Sequence, residues 1–116
     1  MKGLVVIAHG SKLETSNAEI KDLVDRIRKK EKNALVEHSF LEFVSPTLEE
    51  AIVKLIKDGA KEIKVFPYFL AAGKHVKFDI PEMIENIQNS NNNVKIEMLG
   101  HFGKLKGVEE LIIQNT

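Results

Sequence analysis

Strand and helix signals alternate four times along the chain, and this pattern predicts an α/β fold. The expected architecture is a three-layer sandwich of one domain, residues 1–116, with a four-stranded parallel sheet and helices on both faces. Three observations carry that expectation. Leu4-Val5-Val6-Ile7-Ala8 is apolar throughout, as suits a strand covered on both faces in a parallel sheet. Each strand signal is followed by apolar residues at helical spacing. Helices between strands supply the right-handed crossovers that parallel pairing requires. A chain of 116 residues fits one domain, and it buries roughly two-thirds of its unfolded surface.

The elements follow in order. Strand one covers Gly3 to Ala8. Ser16 with Glu19 three residues on predicts a capping box for helix one. Ile20, Leu23, Val24 and Ile27 form its apolar stripe, and Arg28, Lys29, Lys30 and Lys32 suit its carboxyl end. Strand two runs from Leu35 to Glu42 and alternates more than the others, which reads as a sheet edge. Ser45 and Pro46 are expected as N-cap and first residue of helix two. Leu48, Ala51, Ile52, Leu55 and Ile56 line that helix, and Gly59 stops it. Strand three extends from Glu62 to about Leu70, with an interruption expected at Pro67, which has no ladder donor. Helix three carries Ile80, Met83, Ile84 and Ile87, with Pro81 in its first turn. After a polar turn from Asn89 to Asn93, strand four spans Val94 to Leu99. A final helix carries Leu105, Val108, Leu111 and Ile112. The strand order expected is 2-1-3-4, as in flavodoxin-like sheets.

Composition narrows the function. Lys+Arg and Asp+Glu are 17 each, so no net charge drives binding to nucleic acid or to an anionic membrane. The absence of cysteine excludes disulfides, thiolate metal sites and a cysteine nucleophile. No apolar run approaches the ~18 residues of a spanning helix. The five apolar residues before His9 are too few for a signal-peptide core. A cytoplasmic location is expected.

Ligands of open α/β sheets bind beyond the carboxyl ends of the strands. Four segments meet at that rim: His9-Gly10-Ser11-Lys12, Glu42 to Ser45, Phe69 to Asp79, and Gly100 to Lys104. They bring His9, Glu42, His75 and His101 as candidate ligands or bases. Imidazole serves both roles near neutral pH. His38 lies inside strand two, away from the rim. No Gly-rich phosphate loop follows strand one, and no two histidines sit three or four apart on a helix. His9 and His75 therefore meet only through the fold. An incomplete set of imidazoles with a carboxylate suits a divalent Co, Ni, Fe or Zn ion that arrives and leaves. Lys12, Lys74, Lys77, Lys104 and Lys106 suit a polyanionic substrate. Phe43, Phe69, Phe78 and Phe102 offer flat apolar surface. The Gly73 region is small enough to act as a lid.

Three stretches resemble the class II tetrapyrrole chelatases. They are Ile7-Ala8-His9-Gly10-Ser11, the run from Leu41 to Ile52 (LEFVSPTLEEAI), and the run from Val65 to Pro81 (VFPYFLAAGKHVKFDIP). The length matches the short form of that family, the small sirohydrochlorin cobaltochelatases. Gly100-His101-Phe102-Gly103 is a looser match. The resemblance implies ATP-independent insertion of a divalent metal, Co(II) first and Ni(II) or Fe(II) as alternatives, into sirohydrochlorin. It implies His9 and His75 as metal-binding and proton-accepting residues and Glu42 in support. Ser11, Lys12, Phe43, Gly73, Lys74 and Lys77 are expected to contact substrate, with His101 a secondary candidate. No permanently bound cofactor is implied, since the metal is a substrate. The short form corresponds to half of the longer members, which implies a homodimer with sites near the subunit interface. Two other classes fit less well: a non-catalytic tetrapyrrole or metal carrier using the same rim, and a nucleotide-binding regulatory domain.

Overall fold

The computed structural model describes residues 1–116 and forms one parallel sheet of four strands in the order β2-β1-β3-β4. The strands are β1 (Lys2–Ala8), β2 (Ala34–Phe40), β3 (Glu62–Pro67) and β4 (Lys95–Met98). The helices are α1 (Glu14–Lys30), α2 (Leu48–Lys57), α3 (Ile80–Asn89) and α4 (Val108–Gln114). A π-helical turn, His75–Asp79, leads into α3, and a 3-10 turn, Phe102–Lys104, precedes α4. Lys2 of β1 lies opposite Ala34 of β2 and Glu62 of β3, which sets the register for the whole sheet.

Period-two alternation divides the core. Val5 and Ile7 of β1, with Ile63, Val65 and Ile96, pack under Leu48, Ile52 and Leu55 of α2 and Ile80, Ile84 and Ile87 of α3. On the opposite face Val6 and Val36 meet Val24 of α1, with Leu4, Ile27 and Phe66 around them. Both faces therefore carry helices, as the central apolar strand requires. The β3–β4 half of the α1 face is different. There Lys64 pairs with Glu97 in register, and Glu62, Lys64, Lys95 and Glu97 are exposed. A charged strip of this kind needs no cover. Accordingly α4 does not fold back over it, and none of its residues is buried. Helical spacing groups Val108, Leu111 and Ile112 on α4 as expected but supplies no partner for them, and Leu105 falls outside the helix, at the end of the 3-10 turn.

Several boundaries differ from expectation. Helix α1 starts at Glu14, with Leu13 at the N-cap position and no side-chain cap, so Ser16 and Glu19 do not form a capping box. The reason lies in Asn17, which is buried in the first turn. Its side chain accepts from the Ser11 amide (3.0 Å) and donates to the Ser11 carbonyl (2.7 Å), tying the incoming loop to the helix. The capping box occurs instead in α2. Thr47, not Ser45, is the N-cap, with reciprocal Thr47 and Glu50 bonds of 3.1 and 2.8 Å. The backbone hydrogen bond to Thr47 lowers the Glu50 pKa. Strand β2 ends at Phe40, not Glu42, and β3 ends at Pro67, not Leu70. The second truncation is the interruption that Pro67 predicts. Strand-like bonding still continues past both ends. The Leu41 amide donates to Ala8 (2.9 Å), Glu42 to His9 (3.0 Å), and Tyr68 to Ile7 (2.8 Å). These bonds carry the chain onto the rim. No helix is long and apolar enough to cross a membrane.

Candidate functional site

Two imidazoles face each other at the carboxyl rim. His9 leaves the central strand β1, and His75 opens the π-helical turn after β3. Their ring centroids are 5.2 Å apart, tilted by 50°. Glu42, from the end of β2, places Oε2 3.3 Å from His9 Nε2. Three adjacent strand ends thus converge on one spot.

Local backbone requirements set this corner. Gly10 has φ +89°, and a Cβ there would lie 2.1 Å from the Glu42 carbonyl oxygen. Only glycine allows the His9 loop and the Glu42 segment to approach so closely. Phe43 adopts φ 72°, a left-handed conformation that costs a bulky residue about 1–2 kcal/mol. That conformation sets its ring edge-on to His9, at 6.3 Å between centroids, with Lys12 Nζ 5.3 Å from the same ring. Lys12 and Phe43 are therefore neighbours of His9, as substrate contacts would be. The Ser11 hydroxyl accepts from the Leu13 amide (2.9 Å), so at least part of its work is shaping the loop.

The His75 side is organised by its own helix. Asp79 Oδ2 lies 2.7 Å from His75 Nδ1. Phe69 packs beside His75, with ring centroids 6.4 Å apart. A hollow of about 220 Å³ lined by Tyr68, Phe69, Leu70 and Phe102 adjoins this arm. Gly103 seats that wall, since a Cβ there would fall 1.7 Å from the Leu70 carbonyl. Gly73 is different. Nothing lies within 4 Å of a Cβ placed on it, and its carbonyl accepts from the Lys77 amide as the turn begins. Lys74 and Lys77 are exposed on the same turn.

The chemistry of the donor atoms is specific. A carbonyl oxygen can only accept, so the 3.1 Å contact between His9 Nδ1 and the Gly10 oxygen requires the hydrogen on Nδ1. In the neutral ring the Nε2 lone pair then faces the Glu42 carboxylate, and these two acceptors are reconciled by a cation between them, either a proton on Nε2 or a metal ion. The side chains of His9, Glu42 and His75 are 48, 45 and 36% exposed, an open shelf rather than a sealed cage. No group of three or more His, Cys, Asp or Glu side chains is closed around one metal position. Larger hollows lie elsewhere. One of about 510 Å³ is lined by Met1, Lys2, Asn33, Lys61 and Glu62 at the opposite end of the strands and holds no histidine.

His101 shares no hydrogen bond, ion pair or ring contact with His9, Glu42 or His75. His38 sits in β2 beside Phe40, away from the rim as expected. Asp79 and Asn17 escaped the sequence reading. Asp79 follows His75 by four residues, a spacing that does not by itself distinguish it from a solvated helix pair. Asn17 gave no signal, because a polar residue in a first turn is usually solvated.

Known proteins resemble this chain over most of its length. The CbiX family model matches residues 3–116. A sirohydrochlorin cobaltochelatase of Methanococcus aeolicus is 39% identical over 88 residues, covering 76% of this chain and 62% of that protein. The chain thus spans about three-fifths of that relative. A sirohydrochlorin cobaltochelatase of Methanococcoides burtonii is 32% identical, covering 95% of this chain and 87% of that protein. The crystal structure of the sirohydrochlorin chelatase SirB from Bacillus subtilis subspecies spizizenii, in complex with cobalt, superposes with a TM-score of 0.88 at 26% identity. It covers 97% of this chain and 48% of that one.

Proposed function

Because the chain belongs to the CbiX family, we propose that it is a sirohydrochlorin chelatase, inserting a divalent metal ion into the macrocycle without ATP. Co(II) is the first candidate, given the names of the relatives; Ni(II) and Fe(II) are the alternatives the donor set accepts. The observation that carries the proposal is the pair of imidazoles, His9 and His75, at 5.2 Å with a carboxylate against one of them.

Insertion must strip water from the metal ion, deliver it to the ring, and remove two pyrrole protons. The charges balance, since one M(II) enters as two protons leave. His9 and His75 replace water on the incoming ion and hold it over the ring. One imidazole nitrogen cannot hold metal and proton together, so proton acceptance follows release of the ion. Glu42 accepts or relays a proton at Oε2. Phe43 and Phe78, both more than half exposed, offer a surface for the flat macrocycle. Lys12, Lys74 and Lys77 meet its peripheral carboxylates, with Gly73 giving the turn between them room to adjust.

A homodimer completes the reading. The SirB chain is about twice as long as the matched region, and α4 presents Leu111, Ile112 and Ile113 more than half exposed. A second copy would cover that face and help enclose a ring too large for one small domain. The place of work is the cytoplasm, on a route to cobalamin.

Anaerobic absorbance spectroscopy of sirohydrochlorin with Co(II), with and without the protein, tests the proposal. Ni(II) and Fe(II) are run alongside. Formation of metallated product well above the spontaneous rate is expected. Binding of the ring without faster insertion would assign a carrier instead.

A further inference from the structure

One short contact of the site has no part in the steps above. His75 Nδ1 and Asp79 Oδ2 are 2.7 Å apart, closer than His9 and Glu42 at 3.3 Å. An ionised carboxylate can only accept, so His75 Nδ1 donates. The two residues span the π-helical turn, whose end is marked by the Ile80 amide bonding to the His75 carbonyl. Such turns are rare and concentrate at functional sites. The wide turn stacks Asp79 against the ring of His75 while Ile80, the next residue, is fully buried under the sheet. Asp79 is thereby anchored by its neighbour in the core.

We propose that Asp79 is the positioning residue of His75: it fixes the Nδ1–H tautomer and leaves Nε2 as the one open lone pair of the ring. His9 is held in the same sense by a different device, the Gly10 carbonyl at Nδ1. Each neutral ring then keeps its lone pair on Nε2, one fixed by backbone and the other by a carboxylate, with the two ring centroids 5.2 Å apart. A free imidazole exchanges between tautomers, and the Nε2–H form would present a hydrogen where a lone pair is needed. Asp79 suppresses that form and limits rotation of the ring. Carboxylates behind a ligating histidine act in this way generally.

The functional part of this proposal rests on the chelatase reading, while the tautomer part does not. Two measurements separate them. Long-range proton–nitrogen NMR of the ring nitrogens, at a pH well above the ordinary histidine range, reports the tautomer directly. Wild type is expected to show His75 with its hydrogen on Nδ1. Asp79→Ala is expected to shift the ring toward the Nε2–H form, and Asp79→Asn, which keeps an accepting oxygen, to lie between them. In the insertion assay Asp79→Ala is expected to lose about 10- to 100-fold in kcat, with KM for sirohydrochlorin changed less than twofold and Asp79→Asn partly restoring the rate. A wild-type His75 already in the Nε2–H form overturns the proposal. So does a tautomer shift in Asp79→Ala with unaltered kcat. If wild type inserts no metal at all, the chelatase reading fails, and the NMR result still decides what Asp79 does to His75.

Discussion

His9 stands on a loop gripped from several sides, whereas His75 stands on a turn held mainly by its own helix. The His9 arm is bonded to Glu42 through its carbonyl, pressed against Glu42 at Gly10, and tied down by Asn17 through Ser11. Its backbone neighbours at Leu41 and Glu42 carry strand-like hydrogen bonds to Ala8 and His9 past the end of β2, and cannot move without breaking them. The His75 arm follows Leu70 to Lys74, a stretch with exposed side chains at Leu70 and Lys74 and open space at Gly73. Its one strong constraint is the Asp79 carboxylate. A chelatase needs both characters. One ligand must wait in a fixed place, and the other must allow a large flat substrate to enter and leave.

The contrast between the two glycines would break this account most readily. Gly10→Ala forces a Cβ to 2.1 Å from backbone in a left-handed conformation, where L side chains are strained. Denaturant unfolding is expected to show a loss of at least about 2–3 kcal/mol. Gly73→Ala adds its Cβ to open space, and a change within about 0.5 kcal/mol is expected. Equal losses at both positions would mean that the arms are equally constrained.

Phe43 sharpens the comparison by separating stability from function. Its ring is more than half exposed, so truncation removes little buried surface. Phe43→Gly relieves the left-handed strain and is expected to leave stability equal or raised by up to about 1 kcal/mol. The same variant is expected to raise KM for sirohydrochlorin several-fold. Measuring Tm together with KM checks both directions. A fall in Tm with unchanged KM would make Phe43 an ordinary packing residue.

The smallest effect lies outside both arms. His38 Nδ1 is buried without a hydrogen-bond partner. Burial lowers the His38 pKa, Glu37 opposes the shift, and Lys21 and Arg28 add to it. Between the lowered folded value and the ordinary histidine value of about 6.5 the unfolded chain binds more protons. Stability therefore rises with pH across that window and is lost as pH falls through the folded value. Urea midpoints measured on either side of the window should show this slope in wild type and a flatter one in His38→Asn.

Much of the fold was legible because it depends on periodicity. Leu4 to Ala8 suits a strand covered on both faces, and Pro67 signals an interruption of the ladder, although strand three was expected to run on to Leu70 and ends at Pro67. Capping was less legible, because Ser16 with Glu19 and Thr47 with Glu50 carry the same local signal. Burial of Asn17 against the His9 loop decided the first against a capping box, and that contact is tertiary. Helix α4 taught a related lesson, since spacing groups Leu111 and Ile112 without showing what covers them. At the site, His9, Glu42 and His75 were readable as strand-end residues. Asp79 was not, because a carboxylate four residues after a histidine looks like any solvated helix pair until the π-helical turn is seen.

The central claim is that His9 and His75 act together on one metal ion. The most direct test is the initial rate of Co(II) insertion into sirohydrochlorin by wild type, His9→Ala, His75→Ala and His101→Ala. Each of the first two variants is expected to fall at least about 100-fold, while His101→Ala stays within about threefold of wild type. A rate within about threefold of wild type in either His9→Ala or His75→Ala would contradict the shared site.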